Sequence, residues 1–270
     1  MLEILSYQFF QNAIAMVLLA SVASGVIGTY IVVKRMSMIT GSMSHTAFGG
    51  LGISYFLGAS PILGAIIFSL LSAVGISIFR KRGKRLDIML SFSWATGMAI
   101  GLLFMFITPG YATNLFSYLF GNILLVSASD IILIAILDVV VITFTLLMFN
   151  SFMCVTFDEE YSEIRNMPVS FIYTALLSLI ALTIVMLIQA VGIVLLIALL
   201  TMPAATAQVF CRTMKRMMLA SWIITMLSMI TGLFVSYLTN FPAGPVIVLI
   251  TSMIYVISMV LERFNRKKKP

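Results

Sequence analysis

The only histidine of the chain, His45, lies in the stretch MSMITGSMSHTAFGGLGISYFLG, where Gly41, His45, Gly49 and Gly52 recur at three- and four-residue spacing. On a helix these positions share one face, so the spacing predicts a narrow stripe of small residues carrying one imidazole. An ionisable side chain in an apolar segment marks a place where a solute passes. The same pattern also suits plain close packing of two helices, with the imidazole bonded to a neighbouring carbonyl. A second chemical group, Asp138, sits in the middle of VSASDIILIAILDVVVITFTLL. A carboxylate there is costly unless it is protonated, paired or next to water, so it reads either as functional or as paired with a polar neighbour such as Gln189 or Asn114. Asp130, near the end of that run, reads as hydrated. The 20 methionines are spread over all the apolar runs, and they read as packing material.

Absent motifs narrow the chemistry further. The sequence has no GxxxxGK[ST] phosphate loop, no HExxH pair, no Cys-x-x-Cys pair and no second histidine to complete a hydrolase triad. The chain therefore carries no ATPase site of its own. Cys154 and Cys211 are too few for a disulfide framework and read as free thiols.

The elements that must position these groups are membrane spans, because 61% of the 270 residues are hydrophobic and 9% are charged. A window of about 20 residues per crossing gives nine segments, at 11–33, 42–57, 60–79, 88–107, 128–149, 168–187, 191–210, 217–238 and 244–262. A tenth apolar piece, 115–126, is too short to cross and reads as a half-helix near the surface. The expectation is an all-α polytopic membrane protein with a single domain over 1–270. No basic stretch leads the first apolar run, so no cleaved signal peptide is expected.

Charge sets the orientation. The 16 Lys and Arg residues fall at 34–35, 80–85, 165, 212–216 and 263–269, which are alternate connections of a nine-crossing chain. The positive-inside bias makes that side cytoplasmic, with the N-terminus outside and the C-terminus inside. The net charge of +7 is thus a topology signal, with no nucleic-acid surface in it, and the terminal Lys run reads as an anchor at anionic lipid headgroups.

One basic-side connection, TFDEEYSEIRNMP at 156–168, is mostly acidic. Thr156 with Glu159 predicts a capping box, Asp158, Glu159 and Glu160 suit a helix N-terminus, and Asn166 with Pro168 suits a stop and restart. Phe157, Tyr161 and Ile164 then form an apolar stripe beside Asp158, Glu160 and Glu163, fit for a basic partner protein or, alternatively, for resting on lipid. In AVGIVLLIALLTMPAATAQVF, Pro203 predicts a kink that frees the carbonyl of Leu199, as expected of a helix lining a pathway and also of an ordinary bundle helix.

Five stretches in order resemble the membrane permease subunits of bacterial zinc, manganese and iron ABC importers. VVKRMSMITGSMSHTAFGG resembles the family's basic turn and SH-containing second helix, LFSYLFGNIL its leucine-glycine segment, FDEEYSEIRNMPV its cytoplasmic segment, VGIVLLIALLTMPAATA its PAATA helix and LTNFPAGPVIVL its closing turn. The resemblance covers nearly the whole chain. It implies a bacterial inner-membrane permease in which two copies form a pathway along their interface. Two separate ATP-binding subunits would dock underneath, and an external metal-binding protein would deliver a divalent cation, which is cargo and no permanently bound cofactor. By the same resemblance His45 contacts the metal, with Ser42 and Ser44 as weaker candidates. Asp158, Glu159, Glu160, Tyr161, Glu163, Ile164 and Arg165 form the helix that couples to the ATPase. Gly41, Gly49, Pro203 and Asp138 are candidates along the pathway or at its kink. Two positions depart from the pattern: Gly41 stands where many members carry Asp, and Asn166 where they carry glycine. The competing reading is a gradient-driven secondary transporter or channel using Asp138, although the two halves share no repeated motif.

Overall fold

With no water inside a bilayer to satisfy them, peptide groups of a spanning segment must bond within that segment. The computed structural model describes residues 6–81, 85–108, 118, 119, 121 and 123–267, and among these it contains helices and no strand. Eleven α-helices follow one another: α1 Gln8–Val33, α2 Ser37–Phe56, α3 Pro61–Lys81, α4 Leu86–Ile107, α5 Ala128–Leu147, α6 Phe149–Phe157, α7 Glu159–Ile164, α8 Val169–Val191, α9 Ile193–Phe210, α10 Met214–Thr239 and α11 Ala243–Lys267. A single 3-10 turn, Ile123–Leu125, precedes α5. Of the half-helix expected at 115–126, residues 115–117, 120 and 122 lie outside the described residues, and the described part includes the 3-10 turn Ile123–Leu125.

Seven of the helices are long and apolar enough to cross a membrane: α1, α3, α4, α5, α8, α10 and α11. The two other segments expected to cross differ for separate reasons. Helix α2 has 20 residues but is diluted by glycine and hydroxyl side chains, and α9 is short at 18 residues, with Pro203 inside it.

Chain reversals rest on left-handed residues. Arg35, with φ of 57°, closes α1, and the amide of Met36 returns to the carbonyl of Ile31 at 2.8 Å, so the basic turn is a Schellman cap. Gly192, with φ of 78°, both ends α8 and starts α9. At the start of α5 the structure corrects the reading of Asp130. It accepts from the Ser127 amide at 3.1 Å while Ser127 accepts from the Asp130 amide at 3.2 Å, which is a capping box.

Helices α1 and α8 form the interior of the bundle, and α2 packs between α3, α4, α8 and α9. Close approach of backbones carries this packing. A side chain at Gly25 would meet the Trp222 backbone of α10 at 2.5 Å, and one at Gly28 would clash with the Leu200 carbonyl of α9. In an apolar solvent, where burial gives little drive, such contacts supply dispersion and hydrogen bonding.

Pro203 illustrates the second of these. Helix α9 continues through it, and the acceptor it frees, the Leu199 carbonyl, is taken by the Ser24 hydroxyl of α1 at 3.2 Å. Pro203 is buried there beside Ala204, which packs near Gly28. The irregularity is thus absorbed by the α1–α9 contact. We expect Ser24→Ala to lower stability in detergent by about 0.6–2 kcal/mol, the range of a membrane hydrogen bond. In a Pro203→Ala background Leu199 regains its own amide partner, and the loss from Ser24→Ala should shrink to near zero in denaturant titrations.

Candidate functional site

His45 is held by two side chains of α4, one turn apart. Its ring stacks on the Trp94 indole, with centroids 4.7 Å apart and planes at 23°, and its Nδ1 lies 3.3 Å from the Met98 sulfur. Trp94 and Met98 are four residues apart, so they share a helix face and grip the imidazole from its flat side and its edge. The imidazole is half-buried.

The glycines of α2 bring α4 close enough for this. A side chain at Gly49 would touch the Gly97 carbonyl at 3.0 Å, one at Gly52 the Gly101 carbonyl at 2.5 Å, and one at Gly97 the His45 carbonyl at 2.6 Å. On the other side Gly50 and Gly64 bring α2 equally near α3. The stripe is therefore a packing seam that positions His45. The space in front of Gly41 is occupied by the end of the Trp94 ring, with Ile197 of α9 beside it, so a side chain at 41 would require Trp94 to shift. Elsewhere between α2, α3 and α4, Thr46, Gly49, Phe68, Ser93, Thr96, Gly97 and Ile100 line a cleft of about 120 Å³, with three hydroxyls among them and without the imidazole in its wall.

Ser42 and Ser44, the weaker candidates, both lie in the turn before His45. Ser44 is fully buried and donates to the Thr40 carbonyl of its own helix at 2.7 Å. Ser42 is also fully buried, and its hydroxyl has no partner among the described residues. Among the described residues no three His, Cys, Asp or Glu side chains gather into a metal-binding group.

Asp138 is elsewhere. Helix α5 packs on α1, α6 and α8, whereas α2 packs on α3, α4, α8 and α9. The carboxyl is 5% exposed, one oxygen has no partner among the described residues, and the group lies against the Ala23 backbone of α1. Of the neighbours proposed for it, Asn114 and the side chain of Gln189 lie outside the described residues.

At one pole of the bundle the acidic connection forms two short helices. The predicted Thr156 cap is not made, because Thr156 belongs to α6 and its buried hydroxyl is unpartnered among the described residues. Asp158 breaks the chain between α6 and α7 and accepts from the Tyr161 amide at 2.9 Å, capping α7. Asn166 takes the left-handed conformation that ends α7, with φ of 56°, and the Met167 amide returns to the Ser162 carbonyl at 3.0 Å. Asparagine tolerates this conformation, so it does here what a glycine would do.

Most of α7 faces outward. Phe157, Tyr161 and Ile164 are exposed, as are Asp158, Glu160, Glu163 and Arg165, whose guanidinium lies 5.7 Å from the Tyr161 ring. Glu159 is the exception and turns inward. Lys34 contacts it at 2.5 Å and Arg80 contacts its other oxygen, while Lys34 also donates to the Val155 carbonyl at 2.5 Å. Arg80 stacks on Tyr173 of α8 at 3.9 Å. One carboxylate thus ties α7 to the ends of α1 and α3. Burial, with the Arg80 charge beside it, pushes the Lys34 ammonium down to about 8, so the ion pair offsets its desolvation only in part. A polar cleft of about 270 Å³, lined by Ser77, Arg80, Lys81, Glu159, Glu163, Val169 and Ser170, opens next to this clasp.

A bundle of apolar spans enclosing one imidazole, with a charged outward-facing helix clasped to its end, is a multi-pass membrane transport component. The sequence model described as the ABC 3 transport family matches residues 6–262. A membrane protein of Synechocystis is 40% identical over 264 residues, covering 97% of this chain and 94% of its own. The manganese transport system membrane protein MntC of Listeria monocytogenes is 30% identical over 258 residues, covering 95% and 92%. Among solved structures, PsaBC from Streptococcus pneumoniae in complex with Fab superposes with a TM-score of 0.87 at 30% identity, over 95% of this chain and 93% of that one. The chain belongs to the ABC 3 transport family.

Trp94 and Met98, which hold His45, carry no motif in the sequence. Their signal was their four-residue spacing on a segment that the glycines press against α2. Because Trp94 fills the place of a side chain at 41, we expect Gly41→Asp to cost about 1–3 kcal/mol as an overpacked site. Gly41→Asp combined with Trp94→Ala should recover most of this loss in thermal unfolding of the purified protein.

Proposed function

We infer that this chain is the membrane permease subunit of an ABC transporter that imports a divalent transition metal. The observation that carries this reading is the sole histidine, half-buried inside the bundle of a member of this transport family. His45 is the transient metal contact, and oxygen from water completes its shell. A site this poor in carboxylates holds a cation weakly, which suits passage, since a carried ion must also leave.

The full unit is one permease domain over 1–270 with nine crossings, α2 and α9 included, the N-terminus outside and the C-terminus in the cytoplasm. The alternation of the basic connections supports this, because omitting α2 and α9 would place Lys and Arg clusters on both sides. Two copies form the pathway, and an external metal-binding protein supplies the ion. ATP hydrolysis comes from a separate subunit that docks on α7, whose exposed Tyr161 and Ile164 provide the apolar anchor and whose Glu160 and Glu163 provide the charge. The Glu159 clasp with Lys34 and Arg80 then carries movement of α7 to α1 and α3, and α3 is in backbone contact with α2 at Gly64 and Gly50.

Two experiments test this. Radioisotope uptake of zinc and manganese by cells carrying the whole transporter should fall roughly tenfold or more in His45→Ala, and fall to background when the partner ATPase is inactivated. Uptake that persists with an inactive ATPase would overturn the reading. Charge reversal at Glu160 and Glu163 should weaken co-purification with the ATPase by about tenfold, as expected for like charges placed at an interface, while the protein still inserts normally. Unchanged recovery of the complex would remove α7 from the docking surface.

A further inference from the structure

We propose that the Met98 thioether is a second metal contact and that His45 and Met98 act as a nitrogen–sulfur pair favouring zinc or ferrous iron over manganese. This rests on the reading of the chain as a metal importer. It goes further by assigning a donor that no sequence pattern marks and by naming the class of ion it selects.

The geometry is specific. Trp94 covers one face of the imidazole, so access is along the ring edge, and the edge atom Nδ1 faces Met98 Sδ at 3.3 Å. With a metal–nitrogen bond of about 2.1 Å and a metal–thioether bond a little longer than the ~2.3 Å of a thiolate, the two donors close on one ion at that separation with an angle of about 90°. Both side chains are half-buried. When the ion binds, the proton of the neutral ring resides on Nε2 and the Nδ1 lone pair is the donor.

The charge inventory of the surrounding helices sharpens the choice of ion. Helices α2, α3, α8 and α9 contain no Asp or Glu. The one acid of α4, Asp87, is exposed two turns before Trp94 and lies 3.8 Å from Arg85. Position 41 is glycine and supplies no carboxylate, and the Trp94 ring lies against it. Manganese sits lowest in the affinity order for such sites and relies on carboxylate and other hard oxygen donors, whereas thioether and imidazole suit softer and borderline ions. The site therefore lacks what manganese needs and offers what zinc and ferrous iron accept. Manganese in the name of a relative is for that reason not carried over to this chain.

The competing account is that Met98 only packs, receiving a weak N–H···S bond from His45. The two accounts differ in selectivity, which packing leaves unmoved. The experiment measures zinc and manganese isotope uptake by cells carrying the complete transporter, with wild type, Met98→Leu, Met98→Cys and Met98→Ser compared at equal membrane abundance. Wild type is expected to take up zinc in preference to manganese. Met98→Leu, which keeps volume, should reduce the zinc-to-manganese ratio by about threefold or more, and Met98→Cys, which keeps a sulfur donor, should retain it. If Met98→Leu fails to accumulate, Met98→Cys against Met98→Ser decides by the same ratio. A wild-type preference for manganese, or a ratio unchanged by loss of sulfur, overturns the nitrogen–sulfur pair while the importer reading stands. Absence of uptake of either metal by wild type overturns the importer reading itself.

Discussion

The arrangement of this protein depends on one constraint: inside a membrane, helices gain little by hiding apolar surface from one another, so they must hold together by touching closely. The contact between α2 and α4 meets that constraint most fully. Gly49, Gly52, Gly97 and Gly101 let the two backbones meet, with the His45 and Gly101 carbonyls pressed against the opposing helix. Everything chemical at the site follows from this seam. Without it Trp94 and Met98 would stand too far from α2 to hold an imidazole, and the cleft beside Thr46 would open into lipid.

The two working ends of the molecule are built by opposite means. Around His45 the holding groups are neutral and polarizable, an indole and a thioether, and a ring gripped this way keeps its lone pair available. At the far pole, Glu159 is held by two full charges and a stacked tyrosine. The first arrangement holds its ring without any charged partner. The second fixes a short helix of six residues that could not be stable alone. Helix α3 spans the two, with Arg80 in its last turn and Gly64 in its first half.

Much of this was legible from sequence, and the failures share a cause. The helical class, the apolar spans, the exposed stripe at Phe157, Tyr161 and Ile164 and the prominence of His45 follow from periodicity and composition. The Asn166 departure could be judged harmless once its turn was known, because asparagine can adopt a left-handed φ. The readings that missed concern which atom faces which. Glu159 and Glu160 are neighbours with the same chemistry, yet only Glu159 turns inward, because of where α1 and α3 end. Thr156 seemed a cap and Asp158 is the one. Met98 is one of 20 methionines, and only the crossing of α2 and α4 sets it apart. Pro203 was correctly read as freeing a carbonyl, but the hydroxyl that takes it comes from Ser24, 175 positions away.

The clasp at Glu159 also bears on how the chain is made. Lys34 and Arg80 leave the ribosome long before Glu159, so while the first helices are being inserted both are unpaired cations on short loops, the kind of charge that fixes which way a helix enters. When the later segment arrives, the same two side chains are withdrawn into an ion pair with it, Lys34 to 11% exposure. Two cations made early in the chain thus end as the joint between the bundle and α7. An orientation error in the first half would then leave Glu159 without its partners, so the clasp reports that insertion went right.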